Sequence, residues 1–258
     1  MKLTLLKHAA ERVYPWSSKL DRALVRARYR ICWRLAKRLS LKRILDIGCG
    51  FGVQYTDTPL DTHVIAIDID LTAVRYVKLR YSSSINIDVV QSSAVMLPFR
   101  SASVDMVLLM DVIEHVSKNN ALRVVSEAKR VSRTIVVVAT PNRALSYGNP
   151  HHVHEYTVSE LVKLLRKANL KILALLGQVP SLRLPVSLFM TIVRSLLDRV
   201  FNAALVEERE LESVFTEDEL LVLARCEPYR PTLLRDYGHI LAICVKSFLM
   251  MKARSAEH

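Results

Sequence analysis

Residues 44–52 read ILDIGCGFG. A short hydrophobic run ends in an acid, Asp46, and glycines then alternate at Gly48, Gly50 and Gly52. Glycine there lets the backbone turn sharply at the end of a strand and approach a ligand without Cβ clashes. Outward from this turn, short β-branched runs alternate with helical stretches. Strands are expected at 43–47, 63–67, 86–90, 105–109, 134–139, 171–176 and 239–245, seven in all, with helices near 71–80 and 119–132. Strand–helix alternation predicts an α/β, doubly wound, mostly parallel sheet, whose ligand crevice lies where the strands end. A capping box, Thr157-Val-Ser-Glu160, opens a further helix running to about 168.

The chain has 258 residues, half of them hydrophobic (51%), enough for one domain with a substantial core. Its net charge of +12 is unevenly placed. Residues 1–43 hold thirteen Lys/Arg against Glu11 and Asp21, whereas the remainder is almost neutral. Residues 19–39 read as an amphipathic helix, with Leu20, Leu24, Ala27, Ile31 and Leu35 on one stripe and Arg22, Arg26, Arg30, Arg34 and Lys37 opposite. This arm could grip RNA, lie on an anionic membrane surface with Tyr29 and Trp33 at its border, or form a solvated, internally paired face. An acidic tract, Glu207–Glu219, offers it an internal partner. That tract belongs to an insertion at about 180–236. There an amphipathic helix is expected over Val186–Asn202, and a second capping box, Thr216-Glu-Asp-Glu219, is expected to open another. The four cysteines form no CxxC pair, the N-terminus lacks a signal-peptide core, and the most apolar stretch, 184–193, is about half a bilayer span. A reduced, cytoplasmic setting without a transmembrane segment is expected.

A dinucleotide site favours G-x-G-x-x-G and a pyrophosphate. Here the spacing is G-x-G-x-G behind an acid, which suits a ligand carrying an ammonium and a sulfonium, and so points to S-adenosylmethionine. Asp68, twenty residues after Gly48, stands where a carboxylate could accept from both ribose hydroxyls. In these motifs the sequence resembles the class I S-adenosylmethionine-dependent methyltransferases. The resemblance spans roughly 42–178 and the last strand; it also includes IAIDID (65–70), Leu97-Pro98-Phe99, VDMVLLMDVIEHV (104–116) and ATPN (139–142). It implies a Rossmann-like seven-stranded sheet with the last strand antiparallel. The implied layout is a basic N-terminal helical segment (1–40), a methyltransferase domain (41–247) carrying the helical insertion, and a C-terminal tail (248–258). The implied cofactor-binding residues are Asp46, Gly48, Cys49, Gly50, Gly52, Asp68, Ile69, Ser93, Ala94 and Met110. Ser92-Ser93-Ala94 departs from the family's Gly-Asp-Ala, replacing an ionic adenine contact by a neutral one.

A methyl sulfonium is already activated, so the protein must align the acceptor and remove its proton. Asp111-Val-Ile-Glu114-His115 follows the fourth strand, and His151-His152-Val-His154-Glu155-Tyr156-Thr157 follows the fifth. If the first of these begins a helix, its three polar side chains share a face. The pair resembles two metal-dependent branches of the family, the small-RNA 2′-O-methyltransferases and the ubiquinone-pathway O-methyltransferases. That implies Asp111, Glu114, His115 and His152 as ligands of Mg²⁺ or Mn²⁺. The metal-free alternative makes His115 or His152 a general base beside Glu114, and a purely structural role is the third. His151 and His154 read as loop and capping residues. The expected acceptor is a small molecule, methylated at a hydroxyl. RNA held by the basic arm, a non-catalytic cofactor-binding partner subunit and a nicotinamide oxidoreductase are the alternatives.

Overall fold

A computed structural model describes residues 19–84, 86–143, 149–178, 221–224 and 239–246. The strands are β1 (Arg43–Ile47), β2 (His63–Asp68), β3 (Ile87–Gln91), β4 (Val104–Met110), β5 (Ser132–Pro141), β6 (Leu170–Gln178), β7 (Leu221–Ala224) and β8 (His239–Lys246). Helices α1 (Lys19–Arg38), α2 (Leu71–Arg80), α3 (Lys118–Val131) and α4 (Val158–Lys167) accompany them. The strands form one sheet in the order β3-β2-β1-β4-β5-β8-β6-β7. β1 pairs parallel with both β2 and β4, so the chain reverses its winding direction at β1 and opens a crevice at the carboxyl ends of these strands. β8 runs antiparallel between β5 and β6.

The seven expected strands are present, and the described residues add an eighth. β7 pairs antiparallel with the outer side of β6, Leu221 opposite Gln178 and Ala224 opposite Leu175. A helix opening at Thr216–Glu219 therefore does not continue through 221–224: the edge of β6 carries unpaired amides and carbonyls, and this segment satisfies them as a strand. Residues 216–219, the helix expected over 186–202 and the acidic tract lie outside the described residues, as does the C-terminal tail.

Alternate residues of the central strands feed two cores. Leu45, Ile47, Val107, Leu109, Val136 and Val138 pack with α3 and α4. Ile44, Val64, Met106, Leu108, Val137 and Ala139 pack on the other face with Tyr29, Ile31, Trp33 and Ala36 of α1 and Tyr76 and Val77 of α2. Strands covered on both faces read as continuous apolar runs, which is why they were legible. Each buried Leu or Ile is worth roughly 1.5–3 kcal/mol. The first helix thus belongs to the body of the domain: Tyr29 and Trp33, expected at the border of its polar face, are buried at 2% and 3% exposure.

The Thr157 capping box is formed reciprocally. Glu160 N–H donates to Thr157 Oγ1 (3.3 Å) and Thr157 N–H donates to Glu160 Oε2 (2.9 Å). Thr157→Ala removes one half of this exchange and should cost about 1 kcal/mol in a urea unfolding experiment.

Candidate active site

Between β1 and the turn at Val53–Asp57 the chain folds back across the carboxyl end of the sheet. The amides of Gly48 and Cys49 both donate to Ile67 O (2.8 and 2.9 Å). Gly50 N–H donates to Asp68 Oδ2 (2.9 Å), and Asp70 N–H to Asp68 Oδ1 (2.9 Å), so this carboxylate ties the glycine turn to the end of β2. Gly48 and Gly50 have φ of +74° and +51°, where side-chain-bearing residues are strained. A Cβ on Gly48 would stand 2.6 Å from Val112 Cγ2, whereas one on Gly50 would meet nothing within 4 Å. Gly48 is therefore required by packing against the exit of β4. Gly50 borders open space in which a ligand can reach the backbone.

Asp46, at the end of β1, has no solvent exposure. It accepts from Tyr29 Oη (2.8 and 3.0 Å), Tyr55 Oη (2.6 Å) and Gln54 Nε2 (3.1 Å). Burial raises its pKa from 3.8 to about 6, against these hydrogen bonds, which lower it. α1 adds further ties to the turn: Arg26 Nε donates to Val53 O (3.2 Å), Trp33 Nε1 to Gln54 O (3.4 Å), and Arg30 pairs with Asp57 (3.1 Å). Cys49 and Met110 are buried beside the turn, Ser93 and Ala94 are half-buried in the loop after β3, and Ile69 is 70% exposed after β2.

At the exit of β4, Asp111 adopts a φ of +56° and forms an ion pair with Arg28, itself 2% exposed. The next residues make a 3₁₀ turn, Ile113–His115, rather than the start of a helix; α3 begins later, at an N-cap on Ser117. Tight winding turns Glu114 and His115 toward the loop after β5, while Asp111 points to α1. One ligand atom from each of Glu114, His115 and His152 lies within 4.8 Å of the others, and Asp111 is not in this group. His151 contributes its carbonyl, which accepts from His115 Nδ1 (3.1 Å), and His154 Nε2 lies 3.7 Å from Glu160.

Because a carbonyl only accepts, His115 Nδ1 must carry the proton. His152 Nδ1 stands 2.6 Å from the Glu155 carboxylate and likewise donates. The rings lie 4.9 Å apart by centroid, and in the neutral form of each the lone pair is on Nε2. Burial lowers the pKa of His115 and keeps that lone pair available. Glu114 is fully buried: Oε2 accepts from Thr140 Oγ1 (3.1 Å), and Oε1 has no hydrogen-bond partner among the described residues. Burial, then the charge of Asp111, push its carboxyl well above the ordinary range.

A family model described as a methyltransferase domain matches residues 45–136. That match covers about a third of the chain. The domain with its flanks is 37% identical over 154 residues to a probable S-adenosylmethionine-dependent methyltransferase of Mycobacterium tuberculosis, covering 56% of this chain and 54% of the relative. It is 31% identical to a ubiquinone biosynthesis O-methyltransferase of Brucella ovis, covering 52% of this chain and 62% of that protein. The chain thus spans about half the length of the first of these relatives. Among solved structures, magnesium protoporphyrin IX methyltransferase of Synechocystis with bound S-adenosylhomocysteine has the same fold, with a TM-score of 0.54 at 12% identity over 86% of this chain and 82% of that one. In the described residues no helix is long and apolar enough to cross a membrane.

Four residues around the glycine turn and the first helix are not singled out as site residues by the sequence: Arg28, Tyr29, Gln54 and Tyr55. For Arg28 a signal existed. It follows Leu24 by four residues and precedes Ile31 by three, so a charge sits in the apolar register of α1.

The folded pKa of Asp46 lies above that of an unfolded carboxyl, so the fold prefers its neutral form. This group favours folding below about pH 4, and its contribution is lost as pH rises through about 6. The stability difference between the ligand-free protein and its Asp46→Asn variant should therefore shift against the parent by up to about 3 kcal/mol between pH 4 and 7 in urea titrations.

Proposed function

We infer that this chain transfers a methyl group from S-adenosylmethionine to a hydroxyl of a small acceptor, with the imidazoles of His115 and His152 at the acceptor side. The observation that carries this reading is the pair of imidazoles, each with a ring nitrogen within 4.8 Å of a Glu114 carboxylate oxygen, at the same sheet edge as the glycine turn. The turn fits the cofactor: Gly50 leaves its backbone approachable, Asp68 stands at the end of β2, and Asp46 keeps a negative field behind the loop without needing direct contact. Ile69, Ser93, Ala94, Cys49 and Met110 are the proposed adenosine and methionine surroundings.

S-adenosylmethionine supplies a methyl carbon already activated by its sulfonium. The work left to the chain is alignment and proton removal. An acceptor hydroxyl placed against the unprotonated ring nitrogen of His115 or His152 would give up its proton there, and the cofactor would supply a methyl carbon that exchanges its bond to sulfur for one to the acceptor oxygen, leaving neutral S-adenosylhomocysteine. Glu155 stabilises the imidazolium formed at His152. Similarity to an O-methyltransferase supports an oxygen acceptor. Against an RNA acceptor, the basic helix has already committed Arg26, Arg28 and Arg30 to Val53, Asp111 and Asp57.

One observation favours a second reading of the same cluster. Glu114 Oε1 is shielded and without a partner among the described residues, which suits a divalent cation completed by His115 and His152. Two imidazoles favour Mn²⁺ or a later ion over Mg²⁺. Such a cation would lower the pKa of a coordinated hydroxyl.

Calorimetric titration should show S-adenosylhomocysteine binding and no NADH binding; the reverse would end this reading. Gly50→Ala should weaken S-adenosylhomocysteine at least tenfold while costing only about 1–2 kcal/mol of stability. With a phenolic acceptor panel, His115→Ala and His152→Ala should each lower kcat by roughly 10²–10⁴-fold with cofactor affinity almost unchanged. Chelation that leaves the rate untouched selects the imidazole base; loss restored by Mn²⁺ selects the cation.

A further inference from the structure

α3 begins just after His115 and ends, a helix length of roughly 20 Å away, at the opposite edge of the sheet; α4 packs beside it. Between their C-terminal ends lies an open pocket of about 410 Å³, lined by Ser126, Lys129 and Arg130 of α3 and by Lys167, Ala168 and Asn169. The surroundings are strongly basic: residues 118–133 and 158–171 hold nine Lys/Arg and two acids. Both acids are spent, Glu127 on Arg130 (2.6 Å) and Glu160 on the Thr157 cap and Arg143 (3.1 Å). Cations in a last helical turn commonly answer the carbonyls exposed there. Here backbone amides already take carbonyls at both ends. Ala102 and Ser103 donate to Arg130 O and Val131 O (both 2.9 Å), and Ala168 and Asn169 donate to Leu164 O and Arg166 O (3.0 and 2.8 Å). Lys129, half-buried, and Lys167, exposed, form no side-chain hydrogen bond or ion pair among the described residues. Arg130 is held differently. Its Nε and Nη2 donate to Glu127 (2.6 and 2.8 Å), Nη2 also to Leu97 O (3.0 Å), and Nη1 to Phe99 O (2.7 Å). These bonds fix the guanidinium and leave one Nη1 hydrogen uncommitted among the described residues.

We propose that the pocket between the C-terminal ends of α3 and α4 binds the phosphate group of a phosphomonoester, at a site separate from the methyl-transfer edge. Lys129 and Lys167 supply the charge, and Arg130 and Ser126 supply directed donors. Three cations held close together favour a shared anion, and only one carboxylate, itself paired, stands among them. That balance suits the double charge of a phosphomonoester better than the single charge of a carboxylate. The volume leaves room for a small organic group beyond the phosphate. A soluble phosphate ester and a phosphatidic acid headgroup present the same chemistry here. Binding is independent of what the glycine turn holds.

The test is calorimetric titration of glycerol 3-phosphate into the full chain at fixed ionic strength, with and without excess S-adenosylhomocysteine. One-site binding of equal affinity is expected in both cases, and glycerol should not bind. Lys129→Gln and Lys167→Gln should each weaken glycerol 3-phosphate by roughly three- to tenfold, and the double variant should abolish binding. Arg123→Gln, on the same helix but outside the pocket, should change the affinity by less than about twofold. Sedimentation with phosphatidylcholine vesicles containing phosphatidic acid separates the two sources. Co-sedimentation that the double variant loses assigns a lipid headgroup; no co-sedimentation, alongside glycerol 3-phosphate binding, assigns a soluble ester. Retention of either probe by the double variant, competition by S-adenosylhomocysteine, or a parent that binds neither probe overturns the site.

Discussion

A carboxylate with no access to water sits at the end of the central strand, and three side chains from outside that strand must supply its hydrogen bonds. Leaving Asp46 unsatisfied would cost several kcal/mol. Tyr29 of α1 and Gln54 and Tyr55 of the following turn meet the requirement. The first helix is thereby bound to the sheet, the turn after the glycines is fixed in register, and the glycine backbone is held in its left-handed conformation. Asp68 does the matching work from β2, by accepting from Gly50. The open space beside Gly50 exists because these two acids hold the surrounding chain away from it.

The charge of the N-terminal segment takes its meaning from the same constraint. Opposite the apolar stripe, Arg26 and Arg30 reach the turn at 53–57, so part of the basic excess answers local carbonyls and an acid. Arg28 is different in kind: it is buried and ionically paired at the exit of β4. A helix that is basic on average can therefore be a wall of the site. Net charge describes a surface and its partners, and says little about which cation has been drawn inside.

The acceptor side shows how second contacts set chemistry. Neither histidine is notable for its position alone. A backbone carbonyl on Nδ1 of His115 and a carboxylate on Nδ1 of His152 choose the tautomer of each neutral ring, leaving Nε2 as its proton acceptor. The loop carrying His152 is fixed in turn by Val153 and His154, whose amides both donate to the Glu114 carbonyl (2.8 and 3.1 Å). Backbone bonding between the two loops thus brings together side chains that are 37 and 38 residues apart in the sequence.

Much of this was readable from the sequence, for local reasons. Strand and helix periods, the alternation of glycines, and the Thr157–Glu160 cap all depend on residues within a few positions of each other. The sequence by itself determined a parallel α/β sheet, its ligand edge, and the presence of Glu114, His115 and His152 on two loops of that edge. It also placed Asp111 with them, on the assumption of a helical turn. Only the tertiary structure decided that a 3₁₀ turn and a left-handed Asp111 send this carboxylate to Arg28, that Asp46 is sealed by two tyrosines, and that 221–224 pairs as an edge strand. Each of these is a contact between segments distant in the chain. Such contacts are selected by the cost of burying an unpaired charge or backbone group, and that cost appears only when the folded surroundings exclude water.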